Sequence, residues 1–199
     1  MEHYFIPKEH SESDYFTFKE KMFDREFVFR SCDDIFSKDR VDYGTKVLIE
    51  TVAKNFNLSG NILDVGCGYG AIAIVLASLF GDANFTMCDI NNTAVELSQE
   101  NIKRNGIKNI NKVCVSDAYK KIGNGLNYII TNPPIKAGKK NLLNILEGAY
   151  EHLVDGGKLV FVIKKKHGED SIRKHLSSIY SSVEILKRDS GYYILCCTK

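Results

Sequence analysis

The sequence predicts an α/β chain: a Rossmann-like, seven-stranded, mostly parallel sheet with helices on both faces and one antiparallel strand at its C-terminal end. Three observations carry this. From Asn61 onward, short apolar runs rich in β-branched residues alternate with stretches of helical period. A glycine-rich loop, DVGCGYG at 64–70, follows the first of these runs and opens an apolar helical segment. Near the end, VEILKRDSGYYILCCT reads as two strands joined at Asp189–Gly191, a link far too short for a parallel crossover.

Each element follows in order. Residues 1–14 are polar and irregular. YFTFKEKMF (15–23) and EFVFRS (26–31) alternate with period two around a polar break at Asp24–Arg25, the pattern of a β-hairpin. A helical pattern, TKVLIETVAKNF, comes after CDDIFSKDRVDYG. Residues 1–45 are therefore assigned to an N-terminal extension carrying the hairpin, and 46–199 to the main domain. NILDVGC is the first strand of that domain, and AIAIVLASLF (71–80) is apolar nearly all round, as a helix packed on a sheet should be. ANFTMCDI is the second strand. NNTAVELSQENIKRNG is a helix with Asn92 or Thr93 as N-cap and Gly106 as its stop. NINKVCVSD and LNYIIT are the third and fourth strands. LLNILEGAYEHLV is a helix ended by Asp155-Gly156-Gly157, GKLVFVIKK the fifth strand and SIRKHLSSIY a helix.

Composition narrows the function classes. The chain has 199 residues, 44% hydrophobic and 26% charged, long enough to bury a core without disulfides or metal. Its net charge of +2 does not mark a nucleic-acid binder and leaves room for a local basic patch. The six cysteines form no CxxC pair and lie mostly in apolar runs, which suits buried, reduced thiols in a cytoplasmic protein. The five histidines show no metal-binding spacing, so no metal is expected. There is no apolar leader-like segment and no run of 18 apolar residues, so the expectation is a protein neither secreted nor membrane-bound.

Two readings fit the glycine loop. Gly66-x-Gly68-x-x-Ala71 fits a dinucleotide fingerprint. Asp64-x-Gly66-x-Gly68-x-Gly70 fits the loop that holds S-adenosylmethionine (SAM) in class I methyltransferases. A carboxylate facing a pyrophosphate would be repelled, whereas SAM carries an amino group and a sulfonium, so the leading acid favours SAM. Asp89, about 20 residues on, can accept ribose hydroxyls under either reading. Asp117 ends the third strand. Ligands of open α/β sheets sit outside the carboxyl ends of the strands, so the three acids converge on one crevice.

Asn132-Pro133-Pro134-Ile135 ends the fourth strand and faces the same crevice. The chain has only three prolines, and two stand here side by side. Proline has no N–H and a fixed φ, so the pair stops the strand and leaves the Asn132 and Pro133 carbonyls without ladder partners. With the Asn132 side-chain oxygen they form a rigid acceptor set. That set suits a planar NH₂ whose lone pair is to be aimed at an electrophile, and it needs no strong general base.

DVGCGYG, CDIN, SDAY and NPPI, in this order and spacing, resemble a class I SAM-dependent methyltransferase of the branch that methylates planar nitrogens. With the aromatic hairpin, VFRSCDDIFSKDRVDYGTKVLIE, NPPIKAGK and VIKKKHG, the chain resembles the methyltransferase small domain family over nearly its whole length. That family includes small-subunit ribosomal RNA guanine-N2 methyltransferases. The resemblance implies that Asp64, Gly66, Gly68 and Gly70 hold the methionine part of SAM, that Asp89 with Ile90 and Asn91 holds the ribose, and that Asp117 with Ala118 holds the adenine. It implies that Asn132, Pro133 and Pro134 receive the target amine. Phe36, Ser37, Asp42 and Gly44 match the stretch that closes over the cofactor. The fourth position of the tetrapeptide is usually aromatic; Ile135 offers only an apolar contact, which weakens adenine and glutamine targets more than guanine and leaves base stacking to other residues, with Tyr4 and Phe5 as candidates.

Lys136, Lys139 and Lys140 follow the tetrapeptide, and Lys164–His167 follow the fifth strand on the same rim, where they would meet RNA phosphates. The implied activity is SAM-dependent methylation of a guanine N2 amine in small-subunit ribosomal RNA, free or in the assembled subunit, by a monomer or homodimer. Alternatives are glutamine N5-methylation of a protein, a non-catalytic SAM- or RNA-binding assembly factor and, more distantly, a nicotinamide enzyme.

Overall fold

A computed structural model describes residues 11–35, 37, 39–135 and 138–199. Tyr4, Phe5, Phe36 and Lys136 lie outside the described residues. The hairpin comprises β1 (Tyr15–Met22) and β2 (Arg25–Cys32), antiparallel from Tyr15↔Cys32 to Met22↔Arg25. Its turn is Phe23–Asp24, both at positive φ (50° and 59°), one residue earlier than the polar break of the sequence. Two central residues at positive φ match the right-handed twist of the strands they join.

The main sheet is built from β3 (Asn61–Val65), β4 (Asn84–Asp89), β5 (Ile110–Val115), β6 (Leu126–Thr131), β7 (Leu153–Lys164), β8 (Ser182–Asp189) and β9 (Tyr192–Thr198). The spatial order is β5-β4-β3-β6-β7-β9-β8, with β9 antiparallel to both neighbours. This is the seven-stranded sheet with a single antiparallel strand that the sequence predicts. The helices are α1 (Tyr43–Asn55), α2 (Ala71–Leu79), α3 (Asn92–Arg104), α4 (Lys139–His152) and α5 (Glu169–Leu176). Side chains of a strand alternate between faces. Ile62 points into a cluster with α1, α2, α3 and the hairpin, and Leu63 and Val65 into a second cluster with α4 and α5.

The hairpin shares the first cluster: Phe27 and Phe29 are fully buried and pack with Tyr69 and Val41 among others. It is also bonded to α3. Asn105 Oδ1 accepts from Val28 N at 3.0 Å while Asn105 Nδ2 donates to Val28 O at 2.8 Å. Asn101 repeats the pair on Arg30, at 2.7 and 2.9 Å. The match is metric: four helical residues rise about 6 Å, close to the roughly 6.6 Å of two strand residues.

Three boundaries differ from the sequence reading. The N-cap of α3 is Asn91, whose Oδ1 accepts from Thr93 N at 2.9 Å, rather than Asn92 or Thr93. Helix α4 begins at Lys139 and stops at His152. Asp155-Gly156-Gly157 ends no helix; it is an irregularity inside β7, where pairing jumps from Leu126↔Leu153 to Tyr128↔Lys158. A Cβ on Gly157 would lie 2.8 Å from Val154 O and 3.1 Å from Leu126 O, so glycine serves a close backbone approach there.

Candidate active site

The order of strands reverses between β3 and β6, and a crevice of about 480 Å³ opens there at their carboxyl ends. Gly66, Gly68 and Gly70 turn the chain from β3 into α2 at φ values of 74°, 56° and 95°, a region that L side chains resist. The loop is tied from behind. Ser98 Oγ donates to Gly68 O at 2.7 Å, and Asn101 Nδ2 donates to Tyr69 O at 2.9 Å. Its front, from Gly66 to Tyr69, lines the crevice. Gly70 does not; a Cβ there would meet Met87 Cε at 2.7 Å, so this glycine serves packing.

The acids occupy three different settings. Asp89 joins two loops: Oδ2 accepts from Gly68 N and Oδ1 from Asn91 N, both at 2.9 Å. A carboxylate has about four acceptor positions, and with the Ile90 N–H also directed at this one, a position remains for a ligand hydroxyl. Burial raises its pKa. Ile90, Asn91, Asp117 and Ala118 line the crevice beside it. Asp117 is exposed and pairs with Lys120 at 2.7 Å. Asp64 lies one layer back. Strand alternation turns it under the start of α2, where Oδ2 accepts from Ala73 N at 3.2 Å, and it is not among the lining residues. Burial pushes its carboxyl up to about 7 against the opposing pull of the Ala73 N–H, with the charge of Asp89 adding to the rise. Asp64 Oδ1 is buried with no hydrogen-bond partner.

Across the crevice, the β6–β7 ladder ends at Thr131↔Phe161, and Thr131 Oγ1 donates to Val65 O at 2.7 Å. This clasp sets Asn132 and the two prolines level with the glycine loop: Pro134 Cδ lies 4.0 Å from the position of a Cβ on Gly66. Asn132 Nδ2 donates to Thr45 Oγ1 at 2.8 Å, so the amide nitrogen turns to α1 and its oxygen the other way. Asn132, Pro133, Pro134 and Ile135 all line the crevice.

The segment before α1 closes one side. Asp42 caps that helix, accepting from Gly44 N at 2.9 Å, and lines the crevice with Asp34, Ile35 and Ser37. Ser37 Oγ donates to Arg40 O at 2.7 Å. Gly44 does not line the crevice. A Cβ there would lie 2.5 Å from Tyr192 Cε1, so its missing side chain makes room for that ring. Lys139 and Lys140 are exposed in the first turn of α4, outside the lining, while Asn141 and Asn144 of the same helix reach it. Thr45, Ser116, Lys164, His167 and Tyr192 also line the crevice. Of these, the sequence draws attention only to the lysine run and its histidine.

The model of the methyltransferase small domain matches residues 26–196. The chain belongs to the methyltransferase small domain family. Within this family's range of relatives, the uncharacterized protein YbxB of Bacillus subtilis (strain 168) is 40% identical over 200 residues, spanning all of this chain and 98% of its own. Ribosomal RNA small subunit methyltransferase C of Serratia proteamaculans (strain 568) is 33% identical over 173 residues, 85% of this chain and 48% of that protein. The solved T. thermophilus 16S rRNA N2 G1207 methyltransferase (RsmC), in complex with AdoMet and guanosine, superposes with a TM-score of 0.81 at 21% identity, over 93% of this chain and 50% of that one. The chain thus spans about half the length of these two small-subunit relatives. The fold is that of a Rossmann-like methyltransferase. No described helix is long and apolar enough to cross a membrane, and the described residues contain no cluster of metal-ligating side chains.

Proposed function

We propose that this chain transfers a methyl group from SAM to the exocyclic N2 amine of a guanine in small-subunit ribosomal RNA, in the cytoplasm. The observation that carries the reading is the shared crevice: Asn132-Pro133-Pro134 faces the glycine loop across one cleft, with Asp89 on its floor. The residues present fit SAM. Gly66 and Gly68 let backbone approach the ligand, Asp89 keeps acceptor capacity for a ribose hydroxyl, and the nearby carboxyls of Asp64 and Asp89 suit a cationic ligand better than a pyrophosphate. When bound, SAM supplies a methyl group already activated by the sulfonium.

The chain's own residues then have defined tasks. Thr45 holds the Asn132 amide so that its oxygen is available to accept from the target NH₂. The prolines hold the adjacent carbonyls extended as further acceptors. Together they orient the nitrogen lone pair and stabilise the positive charge that grows on it. Lys139 and Lys140 are exposed at the start of α4, whose Asn141 and Asn144 line the crevice, and Lys164 lines it directly; with Lys165 and Lys166 these lysines would neutralise phosphates of an unstacked strand.

The test is methyl-label transfer from SAM to naked small-subunit RNA, assembled small subunits and total protein, with the RNA product digested to nucleosides. Label in N2-methylguanosine supports the reading. Label in protein glutamine, or SAM binding without transfer to any substrate, overturns it. In the same assay Asn132→Ala is expected to lower kcat roughly 100-fold or more, the scale for losing a group that meets developing charge, while SAM affinity stays near wild type. Wild-type turnover by this variant would remove Asn132 from its role.

A further inference from the structure

Ile135 leaves the tetrapeptide without an aromatic ring, and the structure supplies one from the far end of the chain. Tyr192 opens β9 where two depressions meet. One is the crevice of about 480 Å³; the other is an open groove of about 620 Å³ lined by Lys164, Lys165, Lys166, Ser190, Gly191 and Tyr192. Among the described residues, only Lys164 and Tyr192 line both.

The Tyr192 ring is fixed in place. It packs against the first turn of α1 at Gly44, where a Cβ would lie 2.5 Å from Cε1 and 2.6 Å from Cδ1. The Tyr43 ring stands 5.7 Å away, and Tyr43 O–H donates to Asp189 at 2.7 Å, which ties α1 to the turn that leads into β9. Lys164 Nζ lies over the Tyr192 ring, 4.7 Å from its centre, so in the free protein that face is covered by a side-chain cation. The residue next to Gly44 is Thr45, which holds the Asn132 amide. Ring and amide are therefore fastened to consecutive helical residues, whose Cα atoms are about 3.8 Å apart.

We propose that Tyr192 is the stacking wall for the target base. The base enters from the lysine groove and takes the place over the ring that the Lys164 ammonium holds in the free protein. Lys164 then turns to a phosphate of the same strand beside Lys165 and Lys166. A base taken out of its stack loses contacts on both faces, and an aromatic side chain restores one of them without regard to sequence. Held against Tyr192, the plane of the base brings its exocyclic amine to Asn132. The inference rests on the guanine-N2 reading.

The test compares wild type, Tyr192→Leu, Tyr192→Phe and Gly44→Ala by steady-state kinetics on the preferred RNA substrate, with SAM affinity measured separately by calorimetry. Wild type is assayed first. If it forms no N2-methylguanosine, the underlying reading fails before the variants are compared. Given wild-type product, Tyr192→Leu is expected to raise KM for RNA or lower kcat/KM by roughly 5- to 150-fold, the scale of one base–aromatic stack. SAM affinity is expected to stay within about threefold, and Tyr192→Phe to recover most of the loss. Gly44→Ala displaces the ring without removing it and should lower kcat/KM in the same direction. Should Tyr192→Leu fold poorly, Gly44→Ala carries the comparison. Unchanged kcat/KM in Tyr192→Leu or in folded Gly44→Ala overturns the proposal, as does a loss that Phe fails to relieve.

Discussion

Asn132 can present either end of its amide to the crevice, and Thr45 decides which. The hydroxyl accepts from Nδ2 at 2.8 Å, which commits Oδ1 to the other side. Replacing Thr45 by Val keeps the shape and removes the acceptor. One hydrogen bond contributes about 0.5–1.5 kcal/mol net, so kcat should fall about 2- to 13-fold, with Thr45→Ser restoring most of it. Single-turnover rates with each variant check this; equal rates in Val and Thr would assign the orientation elsewhere. The sequence shows Asn132 because two prolines behind it leave few structural uses for that position. It hides Thr45 and Tyr192, since a threonine at a helix start reads as local chemistry and a tyrosine in a strand reads as β-propensity. Their tasks come from partners far along the chain: Thr45 meets Asn132 from 87 residues away. Gly44 and Gly70 show the reverse case. Both stand in motif positions, and both serve packing, one beneath the Tyr192 ring and the other against Met87.

At the scale of elements, the hairpin is held by α3 as if the helix were a further strand. Asn101 and Asn105 give β2 four backbone hydrogen bonds, and Asn101 gives a fifth to Tyr69 O in the glycine loop. Asn101→Leu leaves buried polar partners unmet, at about 1–3 kcal/mol. For a chain of this size each kcal/mol shifts the melting temperature by about 2–4 °C. A thermal scan should therefore show a loss of roughly 2–12 °C, and no shift would mean that Asn105, the Arg30–Glu100 pair and the Phe27–Phe29 packing hold the hairpin without Asn101. Hairpin, strands and helices were legible because their periods differ so sharply. The start of β7 was not. Asp155-Gly156-Gly157 carries every local mark of a turn, and only pairing with β6 makes it a distortion within a strand.

For the whole molecule, the cost of the crevice is a buried acid. The Asp64 carboxyl is raised from 3.8 to about 7, chiefly by burial. A group with a raised folded pKa contributes stability that is complete below its unfolded value and is lost as pH rises through the folded one. The free protein should therefore lose stability from this residue between about pH 4 and pH 7, by at most about 1.4 kcal/mol per pH unit, or about 3–6 °C in melting temperature per pH unit. Asp64→Asn should lack that slope. Parallel scans of both proteins from pH 4 to 8.5 check it, and identical slopes would show that Asp64 stays ionised throughout.

The seat of the Tyr192 ring on Gly44 also has a consequence for biosynthesis. The glycine loop, Asp89 and Asn132 all leave the ribosome before residue 192. The Tyr192 side of the crevice is therefore the last to be translated. The last strand to be made, β9, is the one inserted between β7 and β8, so the Tyr192 ring reaches its seat on Gly44 only in the final step of building the sheet.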